Sequence, residues 1–215
     1  GKGSTGGTSA GTGATAGTTT GGTGGKGTGG SGSVAFSDNF DDGNATGWTN
    51  DGRCAWTFPN GTCWGGGGSC RSRAGSTWTD LTVQVKMRVM SFGGTGSSYR
   101  AGIVARGGRG REYYSFLVDQ AGDLQLRRGT STLSGSGTCP TIGGSLATMT
   151  WYWLRMQVSG SGSARIVTSY STDGTSFMQV HDCTLTSSVI TSGNAGVITG
   201  GATVAEFDDF EVRTP

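Results

Sequence analysis

The chain has 215 residues, of which 44 are glycine, and its 16 basic and 14 acidic side chains leave a formal net charge of +2 at pH 7. Such a weak charge does not indicate a general nucleic-acid binder, and no run of about 18 apolar residues is present that would span a membrane. We therefore expect neither nucleic acid nor the membrane interior as a partner.

Residues 1–33 contain no side chain larger than threonine except two lysines, and Val34 is the first aliphatic residue bigger than alanine. This segment has 15 glycines, 9 threonines and 4 serines, so it has no apolar surface to bury. Its glycines also lose much backbone entropy on ordering. It is predicted to be an irregular Gly/Thr-rich tail or linker. The alternative is a tail that orders against other copies of the chain.

Residues 34–215 are long enough for one domain with its own core, and their hydrophobic pattern has the two-residue period of β-strands. Val83, Val85, Met87 and Val89, for example, alternate with polar residues. Glycine turn signals separate the runs, and no stretch has helical spacing. The predicted strands are 34–40, 54–58, 69–73, 81–90, 100–106, 112–119, 123–128, 151–159, 163–171, 176–180, 194–199 and 203–213. A dozen short strands predict an all-β jelly-roll sandwich of two antiparallel sheets.

The five cysteines have no CxxC spacing, and only one histidine, His181, is present to complete a nitrogen–sulfur metal site. This favours disulfides in an exported protein over a zinc site. The sequence leaves the pairing open; the preferred pairing joins Cys139 to Cys183 and makes a second bridge among the other three. Those three are Cys54, Cys63 and Cys70. An extracellular location is expected.

Six segments carry sequence patterns in a consistent order. They are 36–43 with Trp48, 78–85, 102–106 with 113–116, 151–155, 171–174 and 207–212. Together they resemble the concanavalin A-like lectin/glucanase superfamily, in its laminin-G-like and glycoside-hydrolase-associated branch. The resemblance covers nearly all of 34–215, and the three-cysteine segment 53–72 departs from it. It implies a jelly roll whose terminal strands lie side by side, with carbohydrate bound on or near the concave sheet.

Catalysis needs testing, because the same superfamily contains hydrolases and lyases. Glu206 and Glu211 match an E-x-D-x-x-E pattern that resembles the paired carboxylates of retaining glucanases. They lie on the last predicted strand, and without a bulge they face opposite sides of it. A lyase would need a proton acceptor such as His181, which is expected at a loop or edge and has no accompanying motif. We therefore expect a non-catalytic protein.

Acidic residues at the two ends of the domain suggest a calcium ion. If the first and last strands pair, Asp38 comes close to Asp208 and Asp209, and the neighbouring Asp41 and Asp42 add further oxygens. Ca²⁺ favours such oxygen-only shells, and related modules of the superfamily often hold a structural calcium in this kind of place. The alternative is that these aspartates cap turns and face water.

An aromatic pair marks the first candidate binding surface. If Tyr152 and Leu154 face the core, the strand period places Trp151, Trp153 and Arg155 on the outer face of their sheet. Flat indole rings stack on sugars, and arginine bridges hydroxyl or carboxylate groups. The alternative is that a loop covers these rings.

A cluster of arginines with tyrosine marks a second candidate surface. Arg106, Tyr113 and Arg127 fall opposite the presumed core residues of their strands, and they would flank the tryptophan row if the strands were neighbours. Arginine with tyrosine suits an acidic polysaccharide or single-stranded nucleic acid, and the weak net charge disfavours the latter. The alternative is a solvated face with local ion pairs.

These features favour a secreted, non-catalytic, lectin-like module that recognises a polysaccharide and is tethered by its Gly/Thr tail. The first alternative is a structural subunit of an extracellular filament or coat, whose tail orders against neighbouring copies. The second alternative is a glycan-cleaving enzyme.

Overall fold

The protein is described by a computed structural model that covers residues 1, 32–51, 55–66, 70–135, 139–140 and 143–215. Most of the predicted tail, residues 1–33, therefore lies outside the described residues. Within them the chain forms two antiparallel sheets stacked as a sandwich, with a 3-10 turn at Pro59–Gly61 and no α-helix. The predicted all-β jelly-roll sandwich is confirmed. No helix in this part of the chain is long and apolar enough to cross a membrane.

Fifteen strands build the two sheets. They are β1 (Ser33–Asp38), β2 (Trp48–Asp51), β3 (Ala55–Thr57), β4 (Cys63–Gly66), β5 (Cys70–Ala74), β6 (Leu81–Ser91), β7 (Arg100–Gly107), β8 (Tyr114–Asp119), β9 (Leu124–Arg128), β10 (Ser131–Thr132), β11 (Tyr152–Ser159), β12 (Ala164–Ser171), β13 (Met178–Leu185), β14 (Asn194–Gly200) and β15 (Val204–Thr214). The eight-stranded sheet has the order β13-β12-β11-β6-β15-β4-β3, with β1 also paired to β15. The seven-stranded sheet has the order β10-β9-β8-β7-β14-β5-β2.

The core lies between the sheets and is filled by the alternate residues of each strand. In β6, the side chains of Leu81, Val83, Val85, Met87 and Val89 are at most 4% exposed, while the residues between them are partly exposed. The same alternation holds along β11, whose buried members pair in register with those of β6. The two-residue period of the sequence therefore has its expected cause, which is burial of one face of each sheet.

The two ends of the domain lie side by side, as the resemblance implies. Strand β1 runs antiparallel to β15, with Asp38 opposite Phe210. An aromatic cluster covers this seam: the ring centroids of Trp48 and Phe210 are 4.8 Å apart, and Phe36 contacts both rings edge-on. The predicted pairing of 34–40 with 207–213 is confirmed.

All twelve predicted strands are present within a few residues. Three further strands were not predicted, namely β2, β4 and β10, and they have four, four and two residues. Their sequences are polar or rich in glycine, so they show no run of alternating apolar residues that would indicate a strand.

The structure joins Cys139 to Cys183 by a disulfide. This bond ties the segment between β10 and β11 to the inward face of β13, where both cysteines are buried. Cys70 is a free, buried cysteine, so a second bridge that includes it is wrong. A bridge between Cys54 and Cys63 falls outside what the structure describes.

His181 is a core residue, which corrects its expected position at a loop or edge. It lies on β13 with no exposed surface, and its Nδ1 is 2.7 Å from the hydroxyl oxygen of Thr168. The ring of Phe116 meets it edge-on from the opposite sheet. Burial disfavours the charged imidazolium and lowers the pKa of His181 to about 4.

This buried histidine predicts a specific loss of stability in weak acid. The folded protein holds His181 neutral down to about pH 4, whereas the unfolded chain protonates it near pH 6.5. The unfolded state therefore binds more protons in that window, and the free energy of unfolding falls by about 3 kcal/mol between pH 7 and pH 4. Urea melts of His181→Gln should show a flatter dependence on pH. Parallel curves for the two proteins would contradict this origin of the acid sensitivity.

Arg106 is also buried, although the strand period predicts it on the outer face. The four residues of β7 from Val104 to Gly107 oppose three of β14, so β7 carries a bulge, and Arg106 has a positive φ of 49°. The bulge turns the side chain inward, where it is fully buried. Burial lowers the pKa of Arg106.

Candidate functional site

The six predicted ligand-binding residues do not form one surface. Trp151, Trp153 and Arg155 lie on or next to β11 in the eight-stranded sheet, whereas Tyr113 and Arg127 belong to the β8–β9 region of the seven-stranded sheet. The outer faces of the two sheets point in opposite directions, and Arg106 lies inside the sandwich. The expectation that Arg106, Tyr113 and Arg127 flank the tryptophan row is therefore wrong. The five predicted residues other than Arg106 lie on two separate surfaces.

The outer face of the eight-stranded sheet, which we call the tryptophan face, carries Trp64, Trp151 and Trp153. Trp151 is partly buried beneath two cations: Lys86 Nζ lies 4.9 Å and Arg88 Cζ 4.8 Å from its ring centroid. Both cations therefore cover an indole face that would otherwise be open to a sugar ring.

Local packing also constrains the other two members of the predicted row. A turn lies against Trp153, since a Cβ placed on Gly174 would come within 2.7 Å of its Nε1. The guanidinium of Arg155 stacks 3.5 Å above the ring of Phe177, and its Nε donates to Gln84 at 2.9 Å. These side chains are placed by the protein itself, so a ligand would meet only their remaining edges.

Trp64 is an exposed aromatic residue that sequence reasoning missed. Its side chain is 40% exposed, and it stands opposite Glu206, which in turn stands opposite Arg88. This row continues to Trp151, about 14 Å from Trp64 if three strand spacings are counted. Trp64 lies in the segment that departs from the superfamily pattern, which hid it from the sequence analysis.

The acidic pattern on β15 shares the tryptophan face. The four residues of β15 from Asp208 to Glu211 oppose three of β6, and Asp209 has a positive φ of 46°. This bulge puts Glu206 and Glu211 on the same side, which corrects the expectation that they face opposite sides. Glu206 is ion-paired with Arg88 at 2.5 Å, and Glu211 is ion-paired with Arg213.

The aspartates that suggested calcium have other partners within the protein. Asp38 accepts hydrogen bonds from the backbone N–H of Phe40 and the indole N–H of Trp48, both at 2.7 Å. Asp208 is 3.0 Å from Lys86 Nζ, while burial and the charge of Asp208 raise the pKa of Asp209. No group of three or more acidic, cysteine or histidine side chains in the described residues is placed to hold an ion. The structural calcium stays a prediction.

The outer face of the seven-stranded sheet, which we call the arginine face, is defined by Arg71, Arg73, Arg100 and Arg127. Each of them alternates with inward-facing residues on β5, β7 or β9. Beneath them lies a small apolar cluster, separate from the main core. It contains Val104, Tyr113, Leu117 and Ile198, all at most 8% exposed.

Arg71 and Arg73 form the side of this face that lies on β5. Both contact Asp51 on β2, with closest nitrogen–oxygen distances of 2.6 and 2.7 Å. Arg71 also donates to the carbonyl oxygens of Gly108 and Gly110, and its guanidinium lies 4.7 Å from the ring centroid of Tyr113. It therefore fastens the β7–β8 loop as one rim of the face.

Arg100, on β7, lies at the centre of the arginine face. Arg127, on β9, lies toward the edge that is farthest from Arg71 and Arg73. Arg127 donates to Gln125, Thr132 and the carbonyl oxygen of Thr130, so the β9–β10 hairpin forms the other rim. Arg100 donates to the carbonyl oxygen of Ser97. The predicted residues Tyr113 and Arg127 thus lie on one surface, together with three arginines outside the predicted set.

Three buried polar atoms of the arginine face have neither a hydrogen-bond partner nor an ion-pair contact in the structure. They are Arg71 Nη1, Ser115 Oγ and Arg127 Nε, on three different strands. The residues that carry them are at most 8% exposed. An unsatisfied buried polar group costs about 1–3 kcal/mol, so a ligand that supplied the partners would recover free energy.

The order and pairing of the strands form a jelly-roll sandwich, which is consistent with the concanavalin A-like lectin/glucanase fold that the sequence resemblance implied. No protein-family model matches the chain, and no curated protein matches it by sequence. The carbohydrate-binding module CBM66 from Bacillus subtilis is similar in structure, with a TM-score of 0.54 and 16% identity over 78% of this chain and 96% of that one. Lectin I-B4 from Griffonia simplicifolia has a TM-score of 0.55 and 10% identity, over 84% and 98% of the two chains.

Part of a larger protein also has this fold. A GH43 protein from Bacillus licheniformis has a TM-score of 0.59 and 15% identity over 83% of this chain. The match covers 39% of that protein, so this chain spans well under half of its length. The similarity in each case is one of fold.

Proposed function

We propose that the chain is a secreted, non-catalytic module that binds a polysaccharide on its arginine face. The fold is shared with a carbohydrate-binding module and a lectin, which supports this class of function. The disulfide between Cys139 and Cys183 is compatible with an extracellular location.

One observation carries the choice of face. Arg71, Ser115 and Arg127 lie on the outer side of one sheet, between two rims, and each has a buried polar atom without a hydrogen-bond partner. Sugar hydroxyl groups both donate and accept hydrogen bonds, so a glycan would satisfy the serine oxygen and the two arginine nitrogens together. The apolar cluster below supplies a firm floor for these groups.

Absence of catalysis is part of the proposal. The pair with the glucanase-like pattern, Glu206 and Glu211, lies on the face opposite to the arginines, and each carboxylate is held by an arginine. A retaining mechanism needs one protonated and one free carboxylate on either side of the bond that is cleaved. Release of reducing sugar from a glycan that binds the arginine face would contradict this part.

The tryptophan face is the second candidate for the same function. Its three tryptophans follow one sheet surface, and Trp64 is exposed. Because Lys86 and Arg88 cover Trp151, a ligand has less access to the aromatic rings of the tryptophan face. A filament subunit that assembles through its tail remains the structural alternative, which the oligomeric state of the full chain at increasing concentration would reveal.

Paired substitutions distinguish the two faces. Ser115→Ala removes a buried hydroxyl that lacks a partner, so the free protein should be unchanged or slightly more stable. Loss of its hydrogen bond to a sugar should weaken retention on a glycan-containing affinity gel about fivefold. Trp153→Ala is the matched change on the tryptophan face, where ring stacking would be worth about tenfold in affinity.

The pair of variants gives opposite results for the two faces. Weaker retention of Ser115→Ala together with unchanged retention of Trp153→Ala is expected. The reverse pattern, with thermal melts showing both variants folded, would assign binding to the tryptophan face. No retention of the unmodified protein on any neutral or acidic glycan would overturn the proposed function.

A further inference from the structure

Two of the four cations on the arginine face have no carboxylate partner among the described residues. Arg100 donates to the carbonyl oxygen of Ser97 at 2.7 Å, and Arg127 donates only to uncharged oxygens of Gln125, Thr130 and Thr132. Both arginines project from the same side of the sheet on strands separated only by β8. The protein therefore holds two formal positive charges here without neutralising them.

The acidic side chains of this face are occupied elsewhere. Asp119 stands opposite Arg100 in the β7–β8 register, yet its oxygens accept hydrogen bonds from Gln125 Nε2 at 2.5 Å and from the N–H groups of Ala121 and Asp123. Asp51 contacts Arg71 and Arg73 at the β2 edge of the same face. Neither carboxylate is directed at the unpaired cations.

The two unpaired cations also repel each other. Burial, followed by the positive charge of Arg127, lowers the pKa of Arg100. Arg127 is only 8% exposed, and its Nε is one of the buried atoms without a hydrogen-bond partner. An anion between the two arginines would relieve the repulsion and bind that nitrogen, because partly desolvated charge pairs are screened less than exposed ones.

We infer that the ligand of the arginine face is an acidic polysaccharide, and that Arg100 and Arg127 bind the carboxylates of its uronate residues; this inference rests on the proposed function. A guanidinium matches a carboxylate with two parallel hydrogen bonds, which an ammonium cannot reproduce. Tyr113 lies under the same surface, where its ring packs against the guanidinium of Arg71. Neutral glycans lack the group that these arginines are placed to bind.

The test uses the full chain and two forms of one polymer, polygalacturonate and its fully methyl-esterified form, in affinity gels and calorimetry at about 20 and 200 mM salt. The acidic form should be retained at least tenfold more strongly, and retention should weaken as salt rises. The side chain of Arg100 is partly exposed. In Arg100→Gln the ratio of retention on the acidic form to retention on the esterified form should fall at least tenfold. Arg100→Lys should restore little of it, because it keeps the charge without the planar fork.

Arg165→Gln is the matched control, since it removes one positive charge from the opposite face, where Arg165 is 60% exposed and paired with Asp182. Its retention should equal that of the unmodified protein. Equal retention of the two polymer forms, or of Arg100→Gln and Arg165→Gln, would overturn the acidic ligand while leaving carbohydrate binding intact. Equal binding of polygalacturonate and a DNA oligonucleotide would mean unspecific polyanion binding and would overturn the inference. Retention of no glycan would instead overturn the proposed function.

Discussion

Replacing Arg106 by methionine is expected to destabilise the fold by about 3–5 kcal/mol, which is among the largest effects of any single substitution in this chain. The guanidinium is fully buried and donates to three carbonyl oxygens, those of Thr79, Gly160 and Ile190, at 2.6–2.7 Å. These carbonyls belong to the segment before β6, the β11–β12 turn and the β13–β14 loop. One side chain therefore fastens three connections at one end of the sandwich.

Loss of the guanidinium would leave these carbonyls without their charged donor. Methionine keeps much of the side-chain volume, so the expected loss reflects hydrogen bonding more than an empty cavity. For a domain of this size the melting temperature should fall by about 10 °C. Differential scanning calorimetry would measure the fall directly.

Arg165→Met provides the comparison, because Arg165 is an exposed, ion-paired arginine on the same protein. Exposed ion pairs contribute little to stability, so this variant should melt within a few degrees of the unmodified protein. Arg106→Lys should resemble Arg106→Met, since one ammonium cannot span three separate carbonyls. A stable Arg106→Met variant would mean that the three connections hold their positions without the arginine.

Much of the fold was predictable because burial on one face imposes a two-residue period that survives in the sequence. In β6 every apolar member of the alternation is buried, and in β11 Leu154, Met156 and Val158 are buried while Tyr152 is partly buried. The strands that escaped prediction lie at or near sheet edges, as β2 and β10 do, or are rich in glycine, as β4 is. They are too short or too rich in glycine to show an alternation of apolar residues, so they leave no periodic signal.

The errors about side-chain direction have one physical cause, which is the β-bulge. A strict alternation places Arg106 outside and puts Glu206 and Glu211 on opposite sides. One extra residue in β7 and another in β15, each accompanied by a positive φ, reverses both assignments. Neither bulge has a glycine to mark it, since the residues with positive φ are an arginine and an aspartate. Sequence periodicity alone therefore could not locate them.

The candidate site was predictable only in part. Tyr113 and Arg127 were correctly placed on the outer side of their strands, but their true neighbours Arg71 and Arg73 were missed. Arg71 lies in the segment whose cysteines break the superfamily pattern, and Arg73 directly follows it, although the alternation of Arg-Ser-Arg between Cys70 and Ala74 is a strand signal. The polar atoms without hydrogen-bond partners that favour this face have no sequence signature. They result from the arrangement of side chains on three different strands of one sheet.

Removing the disulfide by the double substitution Cys139→Ala and Cys183→Ala is expected to cost about 4 kcal/mol of stability. The bond closes a loop with a sequence separation of 44 residues, and constraining a loop of that length lowers the entropy of the unfolded chain. In the folded protein it anchors a segment with little secondary structure to β13, which is the edge strand of the larger sheet. Its loss should therefore also loosen that edge, visible as faster amide exchange in β13.

Cys70→Ala is the control that distinguishes loss of the disulfide from loss of a buried sulfur atom. Cys70 is equally buried and has no disulfide, so this variant loses only packing and should cost about 1 kcal/mol. Addition of a reductant should lower the melting temperature of the unmodified protein and of Cys70→Ala, because both retain the 139–183 bond. The double variant should show no such shift, since the described bond is already gone. A reductant-induced fall of equal size in the double variant would place the stabilising bond among the other cysteines, against the pairing in the structure.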